Sequence, residues 1–167
     1  DAGTPNPART ATRWTVATGM SQSGNFLRSF VHQGFNADEG GTRVFDGILP
    51  LIAARHVPLN VRFGVPGGAS FLYQPGSEGA LWWGPYSATA RKRGTTGLLQ
   101  RCTASNTCPK VVEALGSAEI WNLRASPGFV GTDAKADLQI PANVRRYYFP
   151  SVTHGGGRGG GFQPERE

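Results

Sequence analysis

Cysteine, histidine and acidic residues are scarce in this chain, and each scarcity removes a class of chemistry. There are two cysteines and three histidines in 167 residues. Cys102 and Cys108 have no histidine near them, which makes a poor zinc site and favours a disulfide that clips one loop. No metal or other cofactor is therefore expected. A structural disulfide would imply an exported protein, secreted or periplasmic. No apolar run reaches the roughly 20 residues of a membrane-spanning helix, and none is built like a signal peptide. Acidic residues number 11 against 17 basic ones, a net charge of +6. The excess is mostly arginine and is scattered, with only Arg91-Lys92-Arg93 and Arg145-Arg146 adjacent. Scatter of that kind reads as a solvated surface, since a nucleic-acid footprint is clustered on one face. With 24 glycines and 12 prolines the chain is one domain with long loops.

What is present centres on Trp14-Thr-Val-Ala-Thr-Gly-Met-Ser-Gln-Ser-Gly24. A β-branched run ends in a Gly-x-Ser-x-small turn, and the amphipathic stretch from Asn25 to Gln33 follows at once. Strand, sharp turn and helix, with Ser21 at the apex, make a nucleophile elbow. The turn holds the nucleophile in a strained backbone conformation, so its neighbours must be small. Gly19 meets this on one side. Ser23 stands where a second glycine is usual, with Gly24 one place on. The plainer alternative is that Ser21 only caps the helix that begins near Gln22.

Four strand-like runs are expected: Trp14 to Thr18, Val44 to Ile52, Lys110 to Leu115 (strand or helix) and Val144 to Phe149. Strands alternating with helices or long connections predict an α/β fold with a mainly parallel sheet and flanking helices. Gly34 suits the stop of the first helix. Residues 55–109 read as a long irregular insertion, and 155–167 as a glycine-rich tail. Tyr73, Trp82, Trp83 and Tyr86 fall in the insertion and would wall a substrate pocket or lid; packing as a satellite cluster beneath a loop is the alternative.

A serine nucleophile needs a base and an acid. His32 lies about three turns along the helix that follows Ser21 and cannot fold back onto it. His154 sits just past the last strand, where reactive groups of open α/β sheets gather; His56 is the weaker candidate. Among carboxylates, Glu119 emerges directly after the third run. Asp133 and Asp137 belong to a polar loop and suit turns.

These segments together resemble the α/β-hydrolase superfamily, in particular an alpha/beta hydrolase domain group related to tannase- and feruloyl-esterase-like secreted esterases. The resemblance rests on Gly19 to Arg28, Gln33 to Asn36, Val44 to Gly47, Thr107 to Lys110, Gly116 to Trp121 and Val144 to His154. It implies a carboxylic-ester hydrolase with Ser21 as nucleophile, His154 as base and Glu119 as the best-matched acid. The Gln22 N–H would be one oxyanion donor, and a small-molecule ester the partner. It also implies strands before the elbow that are not seen here, so the chain is expected to be the C-terminal portion of an incomplete α/β-hydrolase fold, one partial domain over residues 1–167. Without a second oxyanion donor, which is worth about 100- to 1,000-fold, the isolated chain is expected to be inactive or weak. An uncovered sheet edge or face is expected too. Two competing readings remain. One is a binding module for nucleic acid or another acidic partner, resting on the basic balance, the aromatics and the glycine tract at 155–161, although that tract holds a single arginine. The other is a hydrolase-like scaffold without activity.

Overall fold

The computed structural model describes residues 12–54, 80–89, 92 and 94–155. A four-stranded, wholly parallel sheet organises them, in the order β1 (Val16–Met20), β2 (Gly47–Leu51), β5 (Lys110–Gly116) and β6 (Val144–Phe149). The stretch that periodicity left open between strand and helix is therefore strand β5. Because all four strands run the same way, their carboxyl ends, from Met20 to Phe149, lie along one rim. Any group in the loops that leave those ends is brought to that rim.

Helix α1 (Gln22–Gln33) crosses back over β1 and β2. Leu27 and Val31, one turn apart, face the sheet and pack with Ile48, Val111 and Val144 in the core. Each such side chain removed from water contributes about 1.5–3 kcal/mol. The helix ends where Gly34 adopts φ 88°, a left-handed cap in which the N–H groups of Gly34 and Phe35 donate to Val31 O and Phe30 O. Just beyond it, buried Asn36 donates to the carbonyls of Phe45 and Thr107 and accepts from the Phe45 N–H, stapling the turn after α1 to the entries of β2 and β5.

Among the described residues only one face of the sheet is covered in this way. Side chains alternate across a strand, and the other face leaves Val16, Met20, Val112, Tyr147 and Phe149 exposed. Among the described residues no helix is long and apolar enough to cross a membrane.

Part of the expected irregular stretch has regular structure. Strands β3 (Tyr86–Ser87) and β4 (Thr95–Thr96) pair antiparallel, and helix α2 (Gln100–Ala104) follows. Trp83 and Tyr86 border cavities that His154 does not line, and these rings, with Trp82, pack inward. Trp82, Trp83 and Tyr86 are 1%, 0% and 5% exposed and belong to the main core. Their polar atoms explain the burial: the indole N–H groups donate to Gln139 O and Glu113, and the Tyr86 hydroxyl accepts from the Leu81 N–H. Rings with satisfied polar tips can be buried whole. Tyr73 lies outside the described residues. Two short helices, α3 (Ser117–Trp121) and α4 (Pro127–Val130), lie between β5 and β6.

Cys102 and Cys108 are joined by a disulfide, with Cα atoms 4.7 Å apart, that ties the end of α2 to the start of β5. Reduction of this bond is expected to lower the free energy of unfolding by about 2 kcal/mol, the chain-entropy value for so short a loop. A urea midpoint unchanged by reductant would contradict that.

Candidate active site

Ser21 occupies the bend between β1 and α1 with φ 55° and ψ −115°. A non-glycine residue in this region carries strain on the order of 1–3 kcal/mol and persists only where the surroundings force it. They do so here by hydrogen bonds on both sides: the Ser21 N–H donates to Leu51 O at 2.9 Å, and Ser21 O accepts from the Asn25 N–H at 2.9 Å. Close packing completes the bend. A Cβ on Gly19 would stand 2.5 Å from Ser23 O, and one on Gly24 would stand 2.6 Å from Ala53 Cβ and 2.9 Å from Gly19 O. The second small residue the turn requires is therefore Gly24, and Ser23 is exposed. Ser21 forms no side-chain cap with the helix.

Its hydroxyl points elsewhere, lying 2.7 Å from His154 Nε2. The same imidazole places Nδ1 2.5 Å from Glu119 Oε1. A carboxylate only accepts, so Nδ1 carries the ring hydrogen, Nε2 presents its lone pair, and the Ser21 O–H donates. The result is a hydroxyl–imidazole–carboxylate chain spanning the rim. His32, by contrast, lies half-buried on α1, where burial, reinforced by Arg101, pulls its pKa below the usual 6.5. His56 lies outside the described residues. Asp133 and Asp137 are exposed; the Asp133 carboxylate accepts from the Lys135 N–H in a turn.

Local chemistry explains why Glu119 and His154 meet. Glu119 is the third residue of α3, and its Oε2 reaches back to the Gly116 N–H at 2.6 Å, half of a capping box. That fixes a carboxylate with no solvent exposure. The loop carrying His154 is pinned to the same helix. The Ser151 N–H donates to Ser117 Oγ at 2.8 Å, the Ala118 N–H to Val152 O at 3.4 Å, and Ser117 Oγ lies 3.0 Å from the Tyr148 hydroxyl. Gly116 permits this approach, because a Cβ there would sit 2.8 Å from Val152 O. Gln22 is the first residue of α1, so its N–H has no acceptor within the helix and stands at the positive end of the helix dipole.

A cleft of about 510 Å³ opens beside His154 between α3 and the 151–155 loop, with Trp121 on it. Trp121 is 77% exposed. It stands two residues after Glu119 and outside the aromatic insertion expected to wall the pocket. Trp83 borders a separate cavity of about 350 Å³ with Pro141 and Asn143. Those two residues precede β6, so that cavity lies at the other end of the sheet from Ser21.

A parallel α/β sheet bearing a strained serine, an imidazole and a buried carboxylate at the carboxyl ends of its strands has the anatomy of a hydrolase. The alpha/beta hydrolase domain family matches residues 2–166, and the chain belongs to that family. No curated protein and no solved structure matches it at a significant level.

Two outcomes follow from this geometry. Gly116→Ala is expected to push the His154 loop away and to slow any reaction at Ser21 by about tenfold or more, since misplacement near 1 Å can cost 100-fold. An unchanged rate in the folded variant would contradict the pinning. His32 binds its proton more weakly folded than unfolded, so stability is expected to fall as pH drops from 6.5. His32→Gln should flatten that part of the urea-midpoint profile, and an equal slope in both proteins would count against it.

Proposed function

We propose that this chain is a serine hydrolase of the carboxylic-ester class that works through a Ser21–His154–Glu119 triad and an acyl-enzyme. The observation that carries the reading is the continuous contact from Ser21 Oγ to His154 Nε2 and from His154 Nδ1 to Glu119 Oε1. His154 takes the proton from Ser21 as the hydroxyl attacks the ester carbonyl. Glu119 holds the imidazole in the required tautomer and stabilises the cation that forms. The tetrahedral oxyanion is held by the Gln22 N–H at the head of α1, where the helix dipole favours negative charge. His154 then passes its proton to the leaving alcohol, and water hydrolyses the acyl-serine by the same route in reverse. In kind, the substrate is a small ester, as the resemblance to tannase- and feruloyl-esterase-like secreted enzymes implies. The disulfide supports an exported, secreted or periplasmic setting.

The test is covalent labelling with a fluorophosphonate, which needs an activated serine and no particular substrate. With the Gln22 N–H as its assigned oxyanion donor, the chain is expected to be labelled slowly, once, at Ser21, and Ser21→Ala to remove the label. His154→Ala and Glu119→Ala should each slow labelling by about 100-fold or more, the usual worth of a positioned base. Labelling that persists in Ser21→Ala, or that ignores loss of His154, would overturn the reading.

A further inference from the structure

Behind the site, on the covered face of the sheet, lies a second ionic cluster with no part in proton transfer. Glu113 on β5 is wholly buried. Its Oε1 accepts from Arg28 Nη1 at 2.5 Å and from Trp83 Nε1 at 3.1 Å, and its Oε2 accepts from Arg146 Nε at 2.6 Å. Arg28 also donates to Leu81 O, and Arg146 to Gly128 O. The Arg146 guanidinium lies between the rings of Trp82 and Phe129, at 4.1 and 4.0 Å from their centres, and Arg28 lies 5.2 Å from that of Trp83.

The elements joined are the ones that deliver the triad. Arg28 is on α1, which begins directly after Ser21. Glu113 is on β5, which ends at Gly116, the residue that caps the helix bearing Glu119. Arg146 is on β6, which leads to His154. One carboxylate thus cross-links the three supports of three reacting groups.

Stability alone does not account for it. Among the described residues two guanidiniums face one carboxylate, an excess of positive charge, and Arg28 Nε has no hydrogen-bond partner. Burial pulls the Arg28 pKa down, and the neighbouring Glu113 opposes that pull. Apolar residues of similar volume commonly hold such a position at least as well. They hold it without direction, however, and packed elements linked only by methyl groups can slip by tenths of an ångström. Charged hydrogen bonds fix both distance and angle, and a catalytic constellation tolerates errors of only about 0.5 Å.

We propose that Glu113, with Arg28 and Arg146, is the positioning centre that sets α1, β5 and β6 in the register the triad needs. The proposal rests on the triad reading above. It is tested on the whole chain by the rate of fluorophosphonate labelling per folded molecule, the folded fraction being read from circular dichroism in the same samples. Glu113→Gln keeps the shape and removes the charge. Arg146→Lys keeps the charge and loses the Nε contact, and it carries the test if Glu113→Gln does not fold. Val111→Ala, a cavity on the same strand outside the cluster, controls for lost stability. Both cluster variants are expected to label at least tenfold more slowly per folded molecule, with Val111→Ala within twofold of the unaltered chain. Rates for the folded cluster variants equal to that of Val111→Ala would overturn the positioning role while leaving the triad standing. An unaltered chain that is not labelled at Ser21 would remove the triad reading itself, and this proposal with it.

Discussion

The carboxylate of Glu113 is the interaction on which the other parts of the structure converge. It lies in the middle of β5 and is reached from α1, from β6 and from Trp83. Leaving any of those donors without it would strand a charge or an indole N–H in the core, at a cost of several kcal/mol. The consequence is order among elements far apart in sequence. Trp82 and Trp83 stack on the two guanidiniums in a buried setting, where low dielectric strengthens the hydrogen bonds.

Above that foundation the site is built from short-range devices. The strained bend at Ser21 is enforced by contacts that only Gly19 and Gly24 allow. The first turn of α3 presents Glu119 because its side chain satisfies an otherwise orphaned N–H. The His154 loop is held to α3 through Ser117 and Gly116. Each device is weak on its own, worth about 1 kcal/mol by ordinary hydrogen-bond values. Acting together on a rim defined by parallel strands, they bring three side chains into one line of contacts.

Much of this was legible in the residues. The elbow, the four strands, the parallel sheet, Gly34 as helix stop and the Cys102–Cys108 pairing follow from local patterns, and local patterns survive folding. Lys110 to Leu115 could not be assigned between strand and helix, because so short an apolar run has no decisive period; pairing with two neighbours made it β5. The burial of Trp82, Trp83 and Tyr86 is not legible locally, since an aromatic cluster amid glycines looks the same whether it lines a cavity or fills a core. The partners of the two indoles, the Glu113 carboxylate for Trp83 and the Gln139 carbonyl for Trp82, lie far along the chain, outside any window around them. Arg28 and Arg146 looked like part of a scattered surface charge for the same reason. The nearness of Trp121 to His154 exists only after β5 and β6 pair.

The most direct measurement is a crystal structure of the chain after reaction with a small fluorophosphonate. The account predicts phosphorus bonded to Ser21 Oγ, one phosphoryl oxygen turned to the Gln22 N–H, and the His154 imidazole still bridging that centre to Glu119. Phosphorus on another side chain, or an imidazole turned away from both Ser21 and Glu119, would contradict it.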